Sequence, residues 1–118
     1  MRDFKKLNVW ERSHKFVLNL YKVTKSFPKE ELYVITSQLR RAVVSIPTNI
    51  AEGSGKQTEK EFARYLCIAA GSTSETEYLL ILSKDLEFIK ESVATDLITE
   101  INEIKKMLNA FLIKIANS

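Results

Sequence analysis

Six apolar residues near the C-terminus, Leu97, Ile101, Ile104, Leu108, Phe111 and Ile115, recur at spacings of 4-3-4-3-4. That rhythm keeps all six on one stripe of an α-helix, whereas a strand would scatter them over both faces. Ile98 and Leu112 widen the stripe, so the segment predicts a helix from a cap at Ser92 to about Ala116. Such a stripe must be buried against something, and the rest of the chain offers only further helices. Leu32, Ile35, Leu39, Ala42, Ile46 and Ile50 form a second stripe, spaced 3-4-3-4-4, that begins just after Pro28-Lys-Glu-Glu31 and is closed by Gly53. Proline in a first turn sacrifices no hydrogen bond, and acids there complement the helix dipole. Thr58-Glu-Lys-Glu61 has the form of a capping box, with the threonine hydroxyl accepting from the Glu61 N–H. It opens a third helix that runs through Phe62, Leu66, Ala69, Thr73, Thr76 and Leu80 to about Phe88. A less regular first helix spans about Leu7 to Ser26, with Trp10, Val17, Leu20 or Tyr21, and Phe27 on or near one face.

With 3 glycines and 2 prolines in 118 residues, the chain lacks the punctuation that a many-stranded fold requires. Residues 1–118 therefore read as a single all-α domain, an antiparallel up-and-down four-helix bundle with short loops and no internal repeat. Two features interrupt the regular pattern. The middle of the third helix, Ala69-Ala-Gly-Ser-Thr-Ser74, is unusually small, which predicts a neighbour that approaches closely. Pro47 sits inside the second helix, where it removes a hydrogen bond and crowds the carbonyl of Val43, at a cost of about 3 kcal/mol. Either the helix is kinked at Pro47 but continuous, with Ser45, Thr48 and Asn49 satisfying the freed backbone groups, or it breaks at Ser45-Ile46. The apolar stripe stays in phase across the proline, which favours the kink.

No apolar run approaches the ~18 residues needed to cross a bilayer, and the first ten residues lack the apolar core of a signal peptide. The expected compartment is the cytoplasm, with no membrane partner. The single cysteine, Cys67, excludes an internal disulfide, and its apolar neighbours predict a buried thiol.

Residues that could support chemistry do not form constellations. Gly53-Ser-Gly-Lys56 lacks the spacing and the following Ser/Thr of a phosphate-binding loop, and no strand precedes it. His14, the only histidine, has Arg12 and Lys15 for neighbours and no Glu-x-x-His partner, so neither a metal nor another cofactor is expected. Cys67 and His14 lack a third, orienting group, and the chain reads as a non-enzyme. The basic residues carry more information. Residues 1–64 hold 13 Lys/Arg against 7 Asp/Glu, and residues 65–118 hold 5 against 8. Lys56, Lys60 and Arg64, spaced i, i+4, i+8, stack three positive charges on one helix face, although Glu59 and Glu61 stand beside them. Arg40-Arg41 is a second basic site, of which one member must lean toward the bundle. An ordinary solvated surface, a nucleic-acid face and a face for an acidic protein partner or a second copy all fit this distribution.

Phe27-Pro28, Glu31-Leu-Tyr33, the block Gln38-Leu-Arg-Arg-Ala-Val-Val-Ser-Ile-Pro-Thr-Asn-Ile-Ala-Glu-Gly53, Glu61-Phe62, and Ile68-Ala-Ala-Gly-Ser72 with Glu75 and Glu77 resemble a known family. It is the four-helix-bundle family encoded in intervening sequences of bacterial 23S ribosomal RNA genes, related to the accessory variability protein of diversity-generating retroelements. The chain departs from the family pattern at Val34 and Glu87, where glycine is frequent, and at Lys56, where arginine is usual. The resemblance implies a homo-oligomer, a pentameric ring or barrel. For the retroelement relatives it implies partners, namely RNA or DNA and a reverse transcriptase. Together with the charge pattern it makes Arg40, Arg41, Lys56, Lys60 and Arg64 the candidate nucleic-acid contacts, and Pro47, Ser45 and Asn49 the candidate structural kink.

Overall fold

A computed structural model describes residues 1–117 and shows four helices, α1 (Asn8–Thr24), α2 (Ser37–Ser54), α3 (Glu59–Asp85) and α4 (Glu91–Ala116). Each helix packs on the next, and α1 closes the ring against α4, giving an elongated bundle of 45 × 22 × 19 Å. The C-terminal stripe is buried as expected at Leu97, Ile101, Ile104 and Leu108, while Phe111 and Ile115 pack on the core from its edge. Thr58 caps α3, its hydroxyl accepting from the Glu61 N–H at 3.1 Å. Ser92 caps nothing: α4 starts at Glu91, after Lys90, with no side-chain cap.

The stripe of α1 lies one residue away from the expected one. Val9, Ser13, Phe16, Leu20 and Thr24 face the core, followed by Phe27 beyond the helix, whereas Trp10 and Val17 are half-buried and Tyr21 is exposed. Hydroxyl residues at two core positions hide the periodicity. They are tolerated because each returns its hydrogen to its own helix, Ser13 to the Trp10 carbonyl and Thr24 to the Leu20 carbonyl, both at 2.9 Å. Thr76 and Ser83 do the same in α3, donating to Ser72 and Leu79.

The second helix departs most from its expected course. Between Pro28 and α2 the chain makes a 3₁₀ turn (Lys29–Glu31) and then a wider π-helical turn (Leu32–Thr36). The widened turn rotates Leu32 out of the stripe, so it is exposed together with Tyr33 and Val34. From Ser37 the α-helix runs unbroken through buried Pro47 to Ser54, which rules out the break at Ser45-Ile46. Gly53 does not end α2. It is buried inside the last turn, and a Cβ there would lie 2.7 Å from Tyr65 Cβ and 2.9 Å from Phe62 Cδ1. The close approach of α2 and α3 is therefore at Gly53. At Gly71 a Cβ would meet nothing within 4 Å, so the small middle of α3 has no close neighbour at that residue.

α3 ends at Asp85, earlier than Phe88, in a reciprocal C-terminal motif. The Phe88 N–H donates to the Ser83 carbonyl and the Glu87 N–H to the Lys84 carbonyl, both at 2.9 Å, with Glu87 left-handed at φ 65°. Phe88 then folds back beside Phe27, with ring centroids 5.7 Å apart.

Candidate nucleic-acid interface

Lys60 and Arg64 project from the exposed side of α3, because the core side takes Phe62, Leu66 and Ala69. One turn apart, they begin a row that continues through exposed Ile68, Gly71, Glu75 and Tyr78. Lys56 lies in the preceding turn. Its Nζ stands 5.3 Å from the Tyr65 ring centroid and the Arg64 Cζ stands 4.6 Å from it, so one half-buried ring gathers two of the three cations.

The N-terminal segment sets the charge at this end. The Arg2 N–H donates to the Ser54 carbonyl at 2.8 Å, and its guanidinium lies over Phe62 and Phe111 while forming a bidentate ion pair with Glu59, 2.9 Å for the Nη2–Oε2 contact. The hydrogen bond from Arg2 holds the Glu59 carboxyl below its usual range. One of the two acids that offset Lys56, Lys60 and Arg64 is thus already engaged, and Lys60 has no ion-pair partner among the described residues.

Arg40 and Arg41 are elsewhere. Arg41 shares a cleft of about 510 Å³ with Ser72 and Glu75, and Arg64 sits about 12 Å back along α3 from Ser72. The five candidates therefore form two groups and not one site. Arg40 is the residue that leans inward, toward α1 and not toward a glutamate: its Nε donates to Thr24 Oγ1 at 2.9 Å and its Cζ lies 4.6 Å from the Tyr21 ring centroid. Arg41 is exposed, with Nη2 donating to Ser37 Oγ at 3.3 Å.

Ser45 and Asn49, expected to relieve Pro47, instead join α2 to α3. Asn49 Nδ2 donates to the Ser45 carbonyl (2.8 Å) and to Ser45 Oγ (2.9 Å), and Ser45 Oγ is 2.9 Å from Ser72 Oγ. None of these bonds goes to the Val43 carbonyl. Cys67 is exposed, contrary to expectation, because it falls one helical step beyond Leu66 and off the buried stripe. His14 stacks on Trp10, with centroids 5.2 Å apart and planes 4° from parallel. Among the described residues no three His, Cys, Asp or Glu side chains are grouped to hold a metal, and no helix is long and apolar enough to cross a membrane.

Glu75 and Glu77 have different surroundings. Glu75 is exposed beside Arg41, whereas Glu77 accepts from Asn102 Nδ2 at 3.1 Å and Lys105 Nζ at 3.2 Å, tying α3 to α4. Chiefly through the Asn102 bond, and against partial burial, the Glu77 carboxyl is held below its usual range. Arg12 and Glu100 form the matching bidentate pair between α1 and α4, at 2.7 and 2.8 Å.

A family model described as 23S rRNA-intervening sequence protein matches residues 5–110. Among solved structures, the chain is similar to a protein of unknown function from the S23 ribosomal protein family of Bacteroides thetaiotaomicron, at 30% identity, with a TM-score of 0.78 and coverage of 88% of this chain and 97% of that one. No curated protein matches the chain.

Proposed function

We propose, from the premise that this chain belongs to the 23S rRNA-intervening sequence protein family, that it is a non-enzymatic, homo-oligomeric scaffold of the cytoplasm that binds nucleic acid, RNA above all, through its basic face. The observation that carries this reading is the group of half-buried Lys56 with exposed Lys60 and Arg64, its neighbouring Glu59 neutralised by Arg2. Three cations on one protomer make few phosphate contacts. Repeated around a ring, five-membered in this proposal, they gain roughly 10² to 10⁴ in avidity on a single polyanion. Such binding is salt-dependent and largely indifferent to sequence. Retention of RNA that does not fall between low and moderate salt, or that survives neutralisation of Lys56, Lys60 and Arg64 together, contradicts the proposal.

A second reading rests on a different observation. Beyond the cations, the α3 row carries exposed Ile68, Gly71 and Tyr78, an apolar surface suited to a protein. In the first reading this surface joins subunits. In the second the basic face beside it is an adaptor face that docks an acidic protein or a neighbouring subunit. Charge reversal at Lys60 and Arg64 separates them: RNA binding lost with the oligomer intact favours the scaffold, and loss of the oligomer favours the adaptor.

A further inference from the structure

The Arg40 group has features that a generic cationic surface lacks. Arg40 is held from two sides, its Nε donating to Thr24 Oγ1 and its plane resting against Tyr21. Thr24 is itself fixed, because its hydroxyl hydrogen goes to the Leu20 carbonyl and its oxygen is thereby turned to accept from Arg40. Both terminal nitrogens of Arg40 remain without a hydrogen bond among the described residues. A guanidinium oriented in this way meets an anion without losing the rotamer freedom that a surface lysine loses.

Around it is a cleft of about 430 Å³ between α1 and the π-helical turn, within the size range of small-ligand sites. Tyr21, Tyr33, Thr36, Ser37, Arg40 and Arg41 line it, and no carboxylate does. Two further observations point to a ligand. Thr36 is 2% exposed, yet its hydroxyl has no hydrogen-bond partner among the described residues, an uncommon state for a buried polar group. Tyr33 is 90% exposed, its ring almost fully open to solvent. Two arginines, the Ser37 hydroxyl and an open aromatic face provide for a phosphate and a flat base.

We infer that this cleft receives an unpaired nucleotide of an RNA strand, its phosphate on Arg40 and Arg41 and its base stacked on Tyr33. The inference rests on the nucleic-acid reading above and narrows it, because a stacking surface requires a base that is not already stacked within a duplex. The Lys56, Lys60 and Arg64 group then supplies attraction independent of strand state, and the cleft supplies the preference for single strands.

The test is fluorescence anisotropy with a labelled 12-nucleotide RNA, single-stranded or annealed to its complement, on the full chain. The wild type is expected to prefer the single strand. Tyr33→Ala should weaken single-strand binding roughly 5- to 150-fold, the range of one lost base stack, while duplex binding stays within twofold. Tyr33→Phe should bind as the wild type does. Tyr33 contributes little to the core, and an unchanged thermal melt of the variant confirms that it folds. If single strand and duplex bind alike and Tyr33→Ala affects neither, the inference is wrong while the nucleic-acid reading stands; if neither RNA binds at low salt, both fail. Loss of the oligomer by light scattering in Tyr33→Ala would assign the cleft to a protein contact. AMP that binds as tightly as the 12-mer would assign it to a free nucleotide, and either result overturns the inference.

Discussion

Replacing Gly53 by alanine tests how α2 and α3 are held together at the basic end. The added Cβ would lie 2.7 Å from Tyr65 Cβ and 2.9 Å from Phe62 Cδ1, whereas ordinary contacts begin near 3.4 Å. Tyr65 Cβ is fixed to its backbone, so the clash cannot be relieved by a rotamer change and the helices must separate by several tenths of an ångström. Overpacking of this kind costs about 1–3 kcal/mol. Alanine returns about 1 kcal/mol as the better helix former, leaving a net loss of up to about 2 kcal/mol. For a chain of this size that lowers Tm by up to roughly 10 °C. Gly55→Ala is the control, since its Cβ would meet only the Glu52 carbonyl at an ordinary 3.5 Å. The two variants restrict the unfolded chain equally, so the difference between their urea midpoints reports the packing alone. A Gly53→Ala protein as stable as Gly55→Ala would refute the close-approach argument.

Glu87→Gly should raise stability by about 1 kcal/mol in chemical denaturation, because Glu87 holds a left-handed backbone that costs a side-chain-bearing residue about 1–2 kcal/mol. Gly71→Ala, with open space around the new methyl, should stabilise dilute protein by up to about 1 kcal/mol; if the α3 row joins subunits, the same change weakens self-association in sedimentation. The Glu77 carboxyl titrates below its unfolded value when folded, so its contribution is complete above the unfolded pKa and is lost as pH falls through the folded one. The Tm advantage of wild type over Glu77→Gln should therefore be constant above about pH 5 and shrink below about pH 4. An advantage that does not vary with pH would mean that the carboxylate charge is not what Asn102 and Lys105 recognise.

The elements most legible in the sequence were those in which apolar residues alone wrote the period. Leu97 to Leu108 in α4 is the plainest case, and the Thr58 cap of α3 was legible because its chemistry is local. Errors came where another term replaced apolarity. In α1, Ser13 and Thr24 occupy core positions by bonding to their own helix, so the apolar residues visible to a periodicity search lay to one side of the true stripe. Before α2, the π-helical turn changes the residues per turn, and no fixed period could have kept Leu32 in phase. Gly53 looks like punctuation in the sequence, whereas its absent side chain is a packing feature, which only the position of Tyr65 reveals. For the candidate site, helical spacing correctly aligned Lys60 and Arg64. The engagement of Glu59 by Arg2, 57 residues away in sequence, left no local signal, nor did the anchoring of Arg40 on Tyr21 and Thr24.

The two basic groups differ in how much freedom binding would remove, and this difference bears on what each can do. Lys60 is a flexible ammonium without an ion-pair partner among the described residues, and immobilising such a side chain costs about 0.5–1.5 kcal/mol. It can attract a polyanion from a distance, but it discriminates poorly between geometries. Arg40 has already lost much of that freedom on folding, to Thr24 and Tyr21. Thr24 takes up a core position of α1, where an aliphatic residue could not accept from Arg40. Thr24→Val should accordingly leave the bundle folded, because the side-chain volume is nearly unchanged and the lost hydroxyl bond is local to α1. It would also release Arg40 from one of its two restraints. If fixing Arg40 matters for binding, Thr24→Val should weaken RNA retention at moderate salt, where steering is screened, and change it little at low salt. Equal weakening at both salt concentrations would mean that Arg40 acts only as a charge.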